Sequence, residues 1–229
     1  MPLIKTVMER KKLAGEKATE YIRDGMILGL GSGSTASYMI NKVGELVRDG
    51  LRIKAVPTSR HTEILMRELN IPLVSIDEIS HIDLAIDGVD EIDHRFNAIK
   101  GGGGALFREK IVAGMAESVI WIMDASKMVD QLGAFPLPVE VLPFGYTHVI
   151  TKLNEFSFNP ALRKADGKPY VTDNGNYIVD LHIGSPMDIP DVAGILNATV
   201  GVLETGLFLN MCDRMVVGTN EGVMTITNQ

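Results

Sequence analysis

Apolar positions along this chain change their period several times, and each change marks an element boundary. Residues 3–24 follow helical spacing and close at Asp24-Gly25, which predicts an amphipathic helix. A strand over 26–31 then leads through Ser-Gly-Ser-Thr into a helix reaching about residue 49. The pattern continues as a strand over 51–57, a helix over 60–69, and short strands near 71–76 and 82–88. A helix from about 104 to 118 leads into the apolar strand 119–124. Strands and helices of this length in alternation predict a mostly parallel sheet covered on both faces, an α/β architecture.

The rhythm breaks after Gly133. Pro136, Pro138 and Pro143 punctuate a short strand, and a helix starts near Thr147. Strands follow at about 159–164, 169–173 and 176–182, the last two joined by a hairpin turn at Asp173-Asn174-Gly175. A helix over 188–198 and a strand over 201–209 complete an α+β pattern. A second, smaller domain is therefore placed at 133–205. The first domain is residues 1–132 with 206–229, because the closing strands 213–218 and 222–227 are expected to rejoin the first sheet.

Composition narrows the function classes. Apolar residues make up 45% and charged residues 22%, both ordinary for a globular protein, so disorder is not the default expectation. The net charge of −7, without a lysine or arginine block, argues against nucleic acid or an anionic membrane as partner. The amino terminus lacks the apolar stretch of a signal peptide, and no run approaches a membrane span, so a soluble cytoplasmic protein is expected. The single cysteine, Cys212, excludes an internal disulfide and reads as a small apolar filler. His61, His81, His94, His148 and His182 are dispersed without zinc spacing, and no Gly-x-Ser-x-Gly elbow occurs.

Candidate chemistry concentrates at strand ends and in one glycine run. Gly29-Leu-Gly31-Ser32-Gly33-Ser34-Thr35 joins a strand to a helix, where backbone amides favour an anion. It departs from the dinucleotide fingerprint at Ser34, and no Gly-Lys-Ser/Thr follows as in a P-loop. A phosphate cradle and a tight turn with N-capping hydroxyls remain its two readings. Asp87-Gly88-Val89-Asp90 ends an apolar strand, the edge at which open parallel sheets bind ligands. Ligand contact, a divalent-metal site and a solvated acidic turn all fit these carboxylates. Lys100 precedes Gly101, Gly102, Gly103 and Gly104, either an oxyanion loop or a surface hinge. Glu109 shares its helical face with Ala105, Val112, Ala113 and Ala116. It is either a buried acid of raised pKa, suited to general-base work, or an exposed side chain. Lys127 follows a strand end, as an anion ligand or a surface lysine.

Taken in order, Gly-Ser-Gly-Ser-Thr (31–35), Asp-Gly-Val-Asp-Glu (87–91), Lys-Gly-Gly-Gly (100–103), Arg-Glu-Lys (108–110), Asp-Ala-Ser-Lys (124–127) and Phe-Pro-Leu-Pro-Val-Glu-Val (135–141) closely resemble ribose-5-phosphate isomerase of type A. Val-Thr-Asp-Asn-Gly-Asn (171–176) and Gly-Leu-Phe (206–208) extend the likeness over nearly the whole chain. Ser32 stands where Thr is commoner in that family, and Gly104 where Ala is. The resemblance implies a Rossmann-like domain with a smaller α+β domain, the latter involved in forming a homo-oligomer, a dimer or tetramer. It implies interconversion of ribose 5-phosphate and ribulose 5-phosphate in the non-oxidative pentose phosphate pathway, without metal or organic cofactor. The base role falls on Glu109, with Asp87, Asp90 and Lys100 assisting. Substrate contacts fall on Ser32, Gly33, Ser34, Thr35, Asp87, Gly88, Val89, Asp90, Lys100, Gly101, Gly102, Gly103 and Lys127, with Lys11 or Lys12 as further phosphate ligands. The alternatives are a non-catalytic sugar-phosphate sensor and a related sugar-phosphate deaminase.

Overall fold

The computed structural model describes residues 5–228. The first two residues of the helix expected over 3–24, and residues 1–4 and 229 of the expected first domain, lie outside that range. In chain order the elements are α1 (Val7–Ala18), β1 (Ile27–Leu30), α2 (Ser34–Arg48), β2 (Lys54–Pro57), α3 (Arg60–Glu68), β3 (Leu84–Gly88), β4 (Glu91–Ile92), β5 (Ala98–Ile99), α4 (Leu106–Gly114), β6 (Val119–Asp124) and β7 (Leu137–Val141). Then come α5 (Tyr146–Glu155), β8 (Pro160–Leu162), β9 (Lys164–Ala165), β10 (Lys168–Pro169), β11 (Tyr177–Leu181), α6 (Ile189–Ala198), β12 (Val202–Thr205), β13 (Leu207–Phe208), β14 (Arg214–Gly218) and β15 (Val223–Thr227).

The chain forms two compact units. The first takes the residues up to Val89, Arg108–Lys127, and those from Asn210 on. Its six-stranded sheet has the order β15-β14-β6-β3-β1-β2, parallel except for β15. β6 is buried at every position, as a central strand covered on both faces must be. Thr6 caps α1 by accepting the amide of Glu9, whose carboxylate returns the bond to the Thr6 amide. Gly15 lets α1 lie against α2, since an added Cβ would come within 2.9 Å of the Met39 amide. The stretch expected as a strand near 71–76 makes only one bridge, Leu73 with Ala55, before a turn of 3-10 helix at Ile76–Glu78. Pro72 has no amide to donate, so the ladder cannot extend.

The second unit takes Asp90–Phe107 and Met128–Leu209. A four-stranded antiparallel sheet, β12-β7-β11-β8, packs its core with α5 and α6, through Val139, Val141, Val149, Leu153, Val179 and Leu196. The hairpin turn at 173–175 is present, with the Thr172 amide donating to Asn176 O at 2.8 Å. Its limits differ from the expected 133–205. Residues 90–107 belong here because β4 and β5 pair with each other and β5 pairs with β13 in a three-stranded sheet. Two-residue strands carry no readable period. The strand expected over 201–209 is likewise two strands in two sheets. They break at Gly206, where an added Cβ would lie 2.4 Å from Lys100 O.

Cys212 is buried and its thiol, pushed up to about 12 mainly by burial, donates to Arg214 O at 3.3 Å. It is therefore a protonated core group. We expect the folded protein to resist thiol alkylation at pH 8 and to react fully once unfolded; rapid labelling of the native state would contradict this packing.

Candidate active site

In the first unit the site grows from the carboxyl ends of parallel strands. β1 ends at Leu30 and β3 at Gly88, and the two loops that follow are locked together through Asp87. Asp87 Oδ1 accepts the amides of Ser32 at 2.9 Å and of Gly88 at 2.7 Å. The approach requires glycine at 31, where an added Cβ would sit 1.9 Å from Asp87 Oδ1. Gly33, at φ +93°, then turns the chain into α2, so that Ser34 and Thr35 occupy the first helical turn. Lys11 of α1 donates to Ser34 Oγ at 2.9 Å, bringing a cation to that helix start. Lys12 instead pairs with Glu16 at 3.8 Å. An amino-terminal helix turn with two hydroxyls and an adjoining ammonium is suited to holding a phosphate.

The Ser32 hydroxyl is turned into the protein. It meets Thr58 Oγ1 at 2.7 Å, Ser59 Oγ at 2.8 Å and Thr62 Oγ1 at 3.2 Å, and Thr62 Oγ1 donates to Gly31 O at 2.9 Å. Thr58, Ser59 and Thr62 are buried, and Ser59 caps α3 by accepting the Thr62 amide. This hydroxyl network escaped sequence reasoning. Its only signal was the clustering of hydroxyl residues directly after β2.

Glu109 lies in the first turn of α4 and is only 6% exposed, with Ala105, Val112 and Ala113 also buried. The sequence had left its burial open. α4 joins the parallel neighbours β3 and β6, so it runs antiparallel to them and starts at their carboxyl edge. One turn further on, Val112 presses on β1 at Gly29, where an added Cβ would lie 2.3 Å from Val112 Cγ1. The same edge carries Gly88, near Ser32 O and Ile122 O, with Val89 following it. At the end of β6, Asp124 Oδ1 accepts both the amide and hydroxyl of Ser126, shaping the short turn that carries Lys127.

The second unit holds the other sequence candidates. Lys100 is 2% exposed, its Nζ 5.2 Å from the centre of the Phe208 ring. Asp90 Oδ2 accepts the Gly102 amide at 2.7 Å. The glycine run is an ordered loop rather than a hinge. Arg163 Nη1 donates to the carbonyls of Gly101 and Gly102, each at 3.0 Å, and Tyr170 Oη donates to Gly103 O at 3.1 Å. Arg163 and Tyr170 were not singled out from sequence, where nothing separates them from ordinary surface residues. Two neighbouring acids serve the backbone. Glu91 accepts the amides of Gly133 and Phe135, and Asp93 accepts those of Arg95 and Asn97. Among the described residues, no three His, Cys, Asp or Glu side chains converge as a metal-binding group, and no helix is long and apolar enough to cross a membrane.

A Rossmann-like sheet with a phosphate-suited helix start and a buried carboxylate at its carboxyl edge describes an α/β protein built for small anionic ligands. Comparison with known proteins makes this specific. The family model for ribose 5-phosphate isomerase A (phosphoriboisomerase A) matches residues 54–222. Ribose-5-phosphate isomerase A of Levilactobacillus brevis is 50% identical over 214 residues, 93% of this chain and 94% of the relative. A solved D-ribose-5-phosphate isomerase in complex with phospho-erythronic acid superposes with a TM-score of 0.94 at 40% identity, covering 98% of this chain and all of that one. The ribose 5-phosphate isomerase A of Methanocaldococcus jannaschii gives 0.91 at 38% identity, covering 97% of this chain and all of its own. The chain belongs to the ribose 5-phosphate isomerase A family.

Gly31→Ala is expected to cost about 1–3 kcal/mol, as overpacking of a filled site does, because the new methyl overlaps the Asp87 carboxylate. Denaturant unfolding of the variant measures it, and unchanged stability would mean that the two loops are not locked as described.

Proposed function

We propose that the chain interconverts D-ribose 5-phosphate and D-ribulose 5-phosphate through an enediolate, with Glu109 as the single base. The reading rests on family membership over nearly the whole chain. The burial of Glu109 at the carboxyl edge of the sheet supports its role. Isomerisation removes a proton from carbon 2 of the open-chain aldose and returns one to carbon 1. One carboxylate reaching both carbons performs both transfers, and a site closed to bulk water keeps the proton from being lost.

Charge that develops on the carbonyl oxygen during proton abstraction is stabilised by the Lys100 ammonium and the glycine-loop amides. Asp87 or Asp90 moves the hydroxyl protons and assists opening of the furanose ring. Ser34, Thr35, Lys11 and Lys127 hold the phosphate, and binding this remote group orients the reacting carbons. Ser32 commits its amide to Asp87 and its inward-turned hydroxyl to Thr58, Ser59 and Thr62, so its part in recognition is to shape the loop. Phospho-erythronic acid, found on the related isomerase, has a carboxylate at one place and a phosphate at another. The carboxylate resembles in charge and planarity the enediolate of a pentose phosphate, and the phosphate is common to both. The smaller unit is the part we assign to assembly of a homo-oligomer.

Glu109→Gln keeps the shape of the side chain and removes the base. Turnover of ribose 5-phosphate should fall by about 10²–10⁴-fold while binding is largely kept. An aldose–ketose assay in heavy water, variant beside parent, reads both conversion and the share of the carbon-bound hydrogen that is retained in the product. Near-parent turnover in the variant would remove Glu109 from the base role.

A further inference from the structure

We infer that Arg163 and Tyr170 are positioning residues that hold the glycine loop so that the Gly103 amide is aimed at the developing oxyanion. This deepens the isomerase reading and rests on it. Three successive carbonyl oxygens, those of Gly101, Gly102 and Gly103, are taken up by two side chains whose Arg163 Cζ lies 5.9 Å from the centre of the Tyr170 ring. A trans peptide places its N–H opposite its C=O. Fixing a carbonyl on one side therefore fixes the following amide on the other. The Gly102 amide meets Asp90 and the Gly104 amide closes a turn on Gly101 O. The Gly103 amide belongs to the peptide whose carbonyl Arg163 holds. An added Cβ at Gly103 would meet nothing within 4 Å, so open space adjoins that residue.

The clamp is itself rigid. Arg163 donates through Nε and Nη2 to the two oxygens of Asp180 on β11, leaving Nη1 for the loop. The Arg163 amide donates to Ile178 O and the Tyr170 amide to Arg163 O, so both clamp residues flank the small β9–β10 hairpin in fixed register. The Tyr170 ring also crowds Gly104, where an added Cβ would fall 2.5 Å from the phenol oxygen. Burial and the Asp173 carboxylate push the Tyr170 hydroxyl above its ordinary value against a smaller pull from Arg163, so it remains a donor around neutral pH. With its charge matched by Asp180, Arg163 acts through the shape of its fork, which a lysine does not reproduce.

The test compares Arg163→Lys and Tyr170→Phe with the parent in kcat, KM, and inhibition by phospho-erythronic acid and by inorganic phosphate. Loss of one oxyanion donor costs about 10²–10³-fold, and loss of its aim should cost less. Arg163→Lys should lower kcat by about 10–100-fold and Tyr170→Phe by about 3–10-fold. Inhibition by phospho-erythronic acid should weaken in step, because an analogue of the charged intermediate tracks transition-state binding. KM and phosphate inhibition should stay within about threefold of the parent. Should Arg163→Lys fail to fold, Tyr170→Phe decides by the same pattern. Parent-like kcat in the folded variants of an active parent overturns the inference alone, as does an equal loss of phosphate inhibition. A parent without turnover of ribose 5-phosphate overturns the isomerase reading and this inference together.

Discussion

The first unit depends on one carboxylate oxygen bonded to two backbone amides. Asp87 Oδ1 joins the loop after β1 to the end of β3, and the contact exists only because position 31 has no side chain. Parallel strands leave their carboxyl ends as unpaired loops that would otherwise fluctuate independently. Tying the two ends through a charged acceptor fixes the entry to α2, and with it the helix start that Lys11 approaches. The hydroxyls of Thr58, Ser59 and Thr62 extend the same lock to the loop after β2. Three strand ends thus share one hydrogen-bonded support, which suits a site whose parts must hold their positions before substrate arrives.

The second unit solves the same problem with the partners reversed. There the backbone supplies acceptors and the side chains donate, as Arg163 and Tyr170 do to the glycine loop. Glycine pays a high entropy cost when ordered, so a run of four is stable only when its peptides are held from outside. The hairpin that follows Tyr170 is anchored in turn on Glu140, fully buried in β7, which accepts from Thr172 Oγ1 and Asn176 Nδ2. The conformation of the loop is here held by side chains about sixty positions downstream.

Architecture was legible in the sequence wherever a period could establish itself. The βαβ alternation of the first unit, the return of 213–218 and 222–227 to its sheet, and the 173–175 turn all follow from patterns of several residues. β4, β5 and β13 were not legible, because two residues contain no period, and they decide where residues 90–107 belong. At the site, the chemistry-bearing residues stood out by type and position, Glu109 among small apolar neighbours above all. Their supports did not. Thr62, Arg163 and Tyr170 take their meaning from contacts across tens to scores of residues, and such pairings leave no local trace.

Charge explains why the supports are so extensive. An acidic chain that holds an anionic sugar must overcome its own field, and the proposed site would do so locally, with a few cations and oriented amides. Lys100 and Glu109 are both withdrawn from water, a placement that costs free energy for either charge and contributes little to folding. Surface positions would be cheaper, and under the proposed roles they would leave the base hydrated and the oxyanion exposed to solvent. In the proposed reaction their burial would place both groups in a low dielectric, where a fixed donor is worth more to a developing charge than mobile water is. Such a gain would survive only if the donors could not relax away, and within its own unit each set of supports, the locked strand ends and the clamped glycine loop, opposes that relaxation.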